Sequence, residues 1–302
     1  MRIVISGATG LIGRALTEAL LGRGDDVVTL ARPGSRALPG TTVSWDPSTQ
    51  TINMAGLADV GAIDAVIHLA GAGIADKRWT AGRKAEIRES RIAGTSTLAT
   101  AAANLESTPS VFISGSAIGW YGSRGDETLD EGSSRGDGFL ADVCVDWEDA
   151  SAPAKAAGIR TVLARTGIVL SPEGGALAKQ LPLFRLGIGG RLGPGTQWTS
   201  WISLADEVRA LLFLLDDAHV SGPVNLTSPE PVRNEELTRA LGRALHRPAV
   251  LPVPGAALKV VLGSELVNEA LLASQRVLPG ALQSRGFEFD HPSIDAALSS
   301  ML

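Results

Sequence analysis

Arg2-Ile3-Val4-Ile5-Ser6-Gly7-Ala8-Thr9-Gly10-Leu11-Ile12-Gly13 follows directly on Met1. A short β-branched run ends in three glycines spaced three apart. From Leu11 to Leu21 the apolar residues take helical spacing: Ile12, Leu16 and Leu20 recur every fourth position, with Ala15 and Ala19 beside them. The order predicted is strand, tight turn, helix. In that order Gly7 permits the sharp turn, Gly10 lets backbone approach a ligand, and Gly13 lets the helix lie against the sheet. The free N–H groups at the helix start favour a phosphate. The alternative is an ordinary glycine-rich turn. A Walker-type phosphate loop is excluded, because Arg14-Ala15 follows Gly13 where Lys-Ser/Thr would be needed.

The second strand predicted is Asp26–Ala31. An acidic residue at its end would hold the ribose hydroxyl of NAD, whereas an arginine suits the 2′-phosphate of NADP. Arg32 stands there, with Arg36 close behind, and Asp25 and Asp26 lie at the wrong end. The expectation is NADP; the alternative is that Arg32 is a solvated loop residue. Val43-Ser44-Trp45 reads as a third strand, and Asp64–Gly71 as a buried strand ending in the small residues a dinucleotide needs beneath it. His68 in that strand reads as a core residue. A helix over 81–104 carries Arg83, Lys84, Arg88 and Arg91, mostly a solvated face, with Arg88 or Arg91 able to point toward the cofactor. Val111–Ser116, a helix over 139–157 and Thr161–Arg165 continue the rhythm. Strands alternating with helices predict an α/β fold, a doubly wound parallel sheet of the Rossmann kind.

From Gly167 the rhythm changes. Gly187–Gly195 is glycine-dense, and helices are predicted near 204–215 and 234–245, the latter with Asn234 as its cap. The domain expectation is a dinucleotide-binding domain over 1–166 and a smaller, substrate-covering region over 167–302.

Composition narrows the function. A net charge of −5 with no basic run argues against nucleic acid. Cys144 is the only cysteine, so neither an internal disulfide nor a cysteine-based zinc site is expected. No run of about 18 apolar residues exists, so no membrane span is expected. A strand beginning at residue 2 leaves no room for a leader, and the expected location is cytoplasmic.

Gly7-x-x-Gly10-x-x-Gly13, His68-Leu69-Ala70-Gly71 and Ser114-Gly115-Ser116-Ala117 resemble the extended short-chain dehydrogenase/reductase superfamily, which includes nucleotide-sugar epimerases. Ser116–Gly122, Arg165–Leu170, Gly189–Gly193, Trp201-Ile202, Ser274–Val277 and Gly286-Phe287 are similar more narrowly to its atypical "epimerase family protein", YfcH-like branch, with a small C-terminal domain over about 250–300. The resemblance implies NADPH held by Gly7, Thr9, Gly10, Leu11, Ile12, Gly13, Arg32, Leu69, Ala70, Gly71, Ser114 and Arg165, and no metal. One departure stands out. The superfamily's Tyr-x-x-x-Lys dyad is absent: four residues after Tyr121, the only tyrosine, is Gly125, and the dyad positions on the expected helix are Leu140 and Cys144, with Glu148 following.

Hydride transfer needs a proton donor or acceptor near the substrate. Ser116 and Tyr121 are the catalytic candidates, with Asp142 third. The alternatives are a serine that caps a turn, a tyrosine packed in a loop and an aspartate on a helix surface. Trp79, Trp120, Trp198 and Trp201 flank loops and either line a ligand site or pack the interior. Two functions follow: an NADP-dependent oxidoreductase or epimerase-like enzyme acting on a small carbonyl, hydroxyl or nucleotide-sugar compound, or a non-catalytic NADP(H) sensor. A fold with no dinucleotide at all is the third.

Overall fold

The computed structural model describes residues 1–35 and 38–302. Arg36 therefore lies outside the described residues. The first half runs β1 (Arg2–Ser6), α1 (Leu11–Arg23), β2 (Asp26–Ala31), β3 (Thr41–Asp46), β4 (Thr51–Ile52), α2 (Met54–Asp59), β5 (Ala65–His68), α3 (Ala81–Ala103) and β6 (Val111–Ala117). A 3₁₀ turn (Ile118–Tyr121), β7 (Thr128–Leu129), α4 (Phe139–Asp149), α5 (Ala152–Ala156) and β8 (Arg160–Thr166) follow. Then come β9 (Ile168–Leu170), α6 (Gly175–Arg185), β10 (Trp198–Thr199), β11 (Trp201–Ser203), α7 (Leu204–Asp216), β12 (Gly222–Leu226), β13 (Val232–Arg233) and α8 (Asn234–Ala244). The C-terminal stretch holds α9 (Gly255–Leu262), α10 (Ser264–Leu266), β14 (Arg276–Val277), α11 (Gly280–Ser284) and α12 (Ile294–Met301).

Eight strands form one sheet in the order β12-β8-β6-β5-β1-β2-β3-β4, parallel throughout except for β3–β4. From β1 the chain winds outward one way through β2 and β3 and the other way through β5, β6, β8 and β12. The crevice for a ligand lies outside the carboxyl ends where the two directions part, between β1 and β5. Helices α1 and α7 cover one face, where Leu16, Leu20, Leu211 and Leu214 pack on Ile3, Ile5 and Ile113. Leu98 and Ala102 of α3 and Ala154 of α5 cover the other, on Val4, Val28 and Phe112. Each such leucine contributes about 1.5–3 kcal/mol by leaving water.

The region after Thr166 is not set apart from the sheet. Gly167 turns the chain away, because a Cβ there would lie 2.7 Å from Ser200 O. β9 then pairs with β11, but α7 and β12 return to close the sheet against β8. The 166/167 boundary is thus crossed by both. A separate small core of Leu177, Leu181, Phe184, Trp201, Leu241, Ile294 and Leu298 joins α6, α8 and α12.

Two local readings are corrected. The helix expected over 139–157 breaks into α4 and α5: Ser151 Oγ donates to Glu148 O (2.6 Å) and Pro153 follows in the first turn of α5. Asn234 does not cap α8. Its Oδ1 accepts from Leu192 N (2.8 Å), and the helix start is closed by Glu236 Oε2 accepting from Arg233 N (2.7 Å).

Candidate functional site

The turn from β1 to α1 requires its glycines, each for a separate reason. Gly7 has φ +78°, and a Cβ on it would sit 2.7 Å from the Leu69 carbonyl carbon. At Gly13 a Cβ would sit 2.1 Å from Gly7 O, so α1 rests on the turn itself. Gly10 differs. Its N–H donates to Gly7 O (2.9 Å), and among the described residues other than its chain neighbours that oxygen, at 3.3 Å, is the one atom within 4 Å of where its Cβ would be. The space beside Gly10 is left for something else. Thr9 and Gly10 are exposed, Leu11 and Ile12 half-buried, and no acidic side chain stands in the first turn of α1. Backbone donors at an acid-free helix start form a cradle for a diphosphate. Arg14 pairs with Glu173, and Leu11 packs against Gly174, so the loop after β9 straps the far side of the turn.

Arg32 is exposed at the end of β2 and makes no ion pair among the described residues. At the end of β5, Leu69 N donates to Ser6 Oγ (3.2 Å), and Ser6 Oγ pairs with His68 Nδ1 (2.6 Å). Burial, with Arg91 adding to it, pushes His68 down to about 3, so the ring is a neutral interior residue, as its strand position suggests. The arginines of α3 are less solvated than expected. Arg83 is buried, and Arg91, through Nη1, donates to Ala72 O (2.9 Å) and stacks on Trp147. Both hold the 71–73 loop under Gly71 instead of facing outward, while Arg88 pairs with Asp146.

Beyond β6 lies a buried polar network (the Ser116 hydroxyl donates to Glu148 Oε1 at 2.7 Å). Glu148 also takes Arg165 in two bonds, from Nε to Oε1 (2.7 Å) and from Nη2 to Oε2 (2.9 Å). Arg165 Nη1 donates to the Tyr121 hydroxyl (3.1 Å), which donates to Asn225 Oδ1 (2.7 Å). Trp120 closes over the guanidinium, 3.7 Å from ring centre to Cζ. A paired, fully bonded buried charge of this kind is costly to interrupt.

This network relocates several expected site residues. Tyr121 has no exposed surface, and burial, against the pull of Arg165, raises its phenol above the ordinary range. Arg165 is bonded to Glu148 and Tyr121. Ser114 is likewise enclosed, its hydroxyl donating to Gly115 O (3.1 Å). Ser116 and Tyr121 are brought into one network but are separated in it by Glu148 and Arg165. Asp142 is exposed and paired with Arg135 (2.7 Å). Cys144 is buried, and burial followed by the nearby Glu148 pushes it up to about 12, which leaves it inert. Of the tryptophans, Trp201 is fully buried, Trp79 stacks on Phe139, Trp120 covers Arg165 and Trp198 stands at the surface between two arginines.

Three participants were missed from the sequence: Glu148 as the partner of Ser116, Asn225, and Glu207. Glu207 is wholly buried on α7 and accepts from Thr166 Oγ1 (2.9 Å), while its Oε2 has no partner among the described residues. Burial, opposed by the Thr166 bond, raises it to about 8.

A doubly wound parallel sheet with an open, acid-free glycine cradle at its point of reversal defines a dinucleotide-binding protein of the Rossmann class. Comparison with known proteins narrows this. The family model described as "NAD dependent epimerase/dehydratase family" matches residues 3–226, and a "domain of unknown function (DUF1731)" matches 253–301. An epimerase family protein of Mycobacterium tuberculosis (strain CDC 1551 / Oshkosh) is 46% identical over 297 residues, 98% of this chain and 96% of that protein. The epimerase family protein SDR39U1 of Bos taurus is 35% identical over 307 residues, all of both chains. A crystal structure of human epimerase family protein SDR39U1 (isoform 2) with NADPH superposes with a TM-score of 0.90 at 32% identity, covering 100% of this chain and 99% of that one. The chain belongs to the NAD-dependent epimerase/dehydratase family.

Proposed function

We propose that this chain is an NADP(H)-binding oxidoreductase or epimerase-like enzyme acting on a small carbonyl, hydroxyl or nucleotide-sugar compound. The observation that carries the reading is the open space beside Gly10 at the carboxyl end of β1. Arg32 and the human relative solved with NADPH favour the 2′-phosphorylated cofactor. The nicotinamide, when bound, supplies or takes up the hydride. The cradle fits the pyrophosphate, with Gly7, Gly10 and Gly13 excluding side chains and the first turn of α1 presenting donors; Arg32 answers the 2′-phosphate. Ser116 has committed its proton to Glu148, so toward a substrate it offers lone pairs and accepts from a hydroxyl. Tyr121 acts from inside as a positioning residue that holds Arg165, and through it Glu148.

A second reading, a sensor that binds NADP(H) without turnover, is favoured by the enclosed Tyr121 hydroxyl and by the inert Cys144 at the dyad's lysine position. One experiment divides them. NADPH and NADH are titrated into wild type and Arg32→Ala, and the loaded protein is then offered ketones, aldehydes and nucleotide sugars while nicotinamide absorbance is followed. Turnover that falls in Ser116→Ala supports the enzyme. Saturable NADPH binding with a flat absorbance trace for every compound supports the sensor. NADH preference in the wild type removes Arg32 from its assigned role, and no saturation by either nucleotide removes both readings.

A further inference from the structure

The segment 274–278 threads over the carboxyl end of β6. Gln275 Nε2 donates to Ile118 O (2.8 Å), two residues beyond Ser116, and Ser274 N donates to Ser123 Oγ (3.0 Å). β14 then pairs with β7. Arg276, at the centre of this segment, is half-buried, and its guanidinium lies 4.6 Å from the centre of the Trp198 ring. Arg233 stacks on the same ring at 4.5 Å.

The two arginines are differently employed. Asp126 Oδ1 accepts from Trp198 Nε1 (2.9 Å) and from Arg233 Nη2 (2.9 Å), and Arg233 also donates to Thr196 O. Arg233 is thus paired, and with Asp126 it fixes the plane and edge of the indole. Arg276 has no ion pair and no side-chain hydrogen bond among the described residues, and its Nε is enclosed by protein without a partner. Two cations share one carboxylate, so the cluster carries a net positive charge. A donor withdrawn from water, as this Nε is, costs free energy until it is met. With the guanidinium held against an aromatic ring, its two Nη groups, which are not enclosed as Nε is, can make a two-point contact with an oxyanion.

We propose that Arg276 receives an oxyanion of the substrate, a carboxylate or a phosphate, so that the compound handled at the end of β6 is an anionic hydroxyl or carbonyl species. Trp198 is the platform, Asp126 and Arg233 set its orientation, and the Gln275–Ile118 bond ties the site to the turn after Ser116. The assignment rests on the reading that this cleft binds NADP(H) and a small substrate.

NADPH binding is measured first, in wild type, Arg276→Gln and Arg276→Lys, and is expected to be equal in all three. Each loaded protein is then titrated through the millimolar range with inorganic phosphate and, separately, with malonate, reading tryptophan fluorescence and heat. Preloading fills the cradle at α1, so anion binding there does not interfere. The wild type is expected to saturate with one anion. That anion should bind about ten- to a hundredfold more weakly to Arg276→Gln and with intermediate strength to Arg276→Lys, which keeps the charge and loses the fork. Selective saturation by phosphate assigns a phosphorylated substrate, and by malonate a carboxylate. An NADPH-loaded wild type that saturates with neither anion, or variants that bind as the wild type does, overturns the proposal. A wild type that fails to bind NADPH overturns the cofactor reading instead.

Discussion

Replacing Glu207 by Gln should stabilise this protein at alkaline pH and leave it nearly unchanged in acid. The ordinary carboxyl titrates at 4.5, whereas burial raises Glu207 to about 8. The folded chain therefore keeps a proton that the unfolded chain releases. Below about pH 4.5 both states are protonated and nothing is lost. As pH rises through the window toward 8, folding requires taking up a proton from increasingly dilute supply, and stability falls. Above about 8 both states are ionised and the loss levels off. Each pH unit in the window withdraws about 1.4 kcal/mol, so the whole of it carries at most ~5 kcal/mol. The amide of the variant mimics the protonated acid: its oxygen can accept from Thr166 Oγ1 as Glu207 Oε1 does at 2.9 Å. The difference in stability, Glu207→Gln minus wild type, should thus grow by ~3 kcal/mol between about pH 5 and pH 8, several degrees in Tm. Paired thermal melts across that range measure it, and subtracting the two proteins cancels every group they share. A difference that does not change with pH would show that Glu207 is ionised and solvated in the fold, and the reasoning would fail.

Gly13→Ala should abolish NADPH binding and lower stability by more than ~2 kcal/mol, because the new methyl would lie 2.1 Å from Gly7 O; calorimetric titration and denaturant melts report both. Glu148→Ala strands Arg165 inside the protein and should cost about 3–5 kcal/mol, whereas Glu148→Gln, which keeps one acceptor, should cost less; urea unfolding ranks them. His68 should show no imidazole titration by NMR between about pH 5 and pH 8, since its protonation lies at about 3.

The cofactor cradle was legible because its determinants are consecutive. Three glycines between an apolar run and a helical repeat state their geometry locally. Arg165 left a subtler trace: a cation directly after Thr161-Val162-Leu163-Ala164, in a buried strand, demands an anion, which Glu148 on α4 supplies. That partner could not be chosen from the sequence, because a strand-end arginine also suits a phosphate. Tyr121 with Asn225 and Arg276 with Trp198 could not be paired from the sequence, since partners so far apart along the chain share no periodicity. The reading of Asn234 as a cap failed for a related reason: Leu192 N, far upstream, claims its side chain.

The return of β12 to the sheet has a consequence for biosynthesis. β8 ends at residue 166 and the strand that seals it ends at residue 226, so a ribosome must add the stretch between them before that edge is covered. At about 5–20 residues per second this leaves the nascent β8 ladder open for roughly 3–12 s. Truncation after residue 166 would make that transient exposure permanent, and such a fragment should be captured by chaperones or aggregate through its unpaired strand.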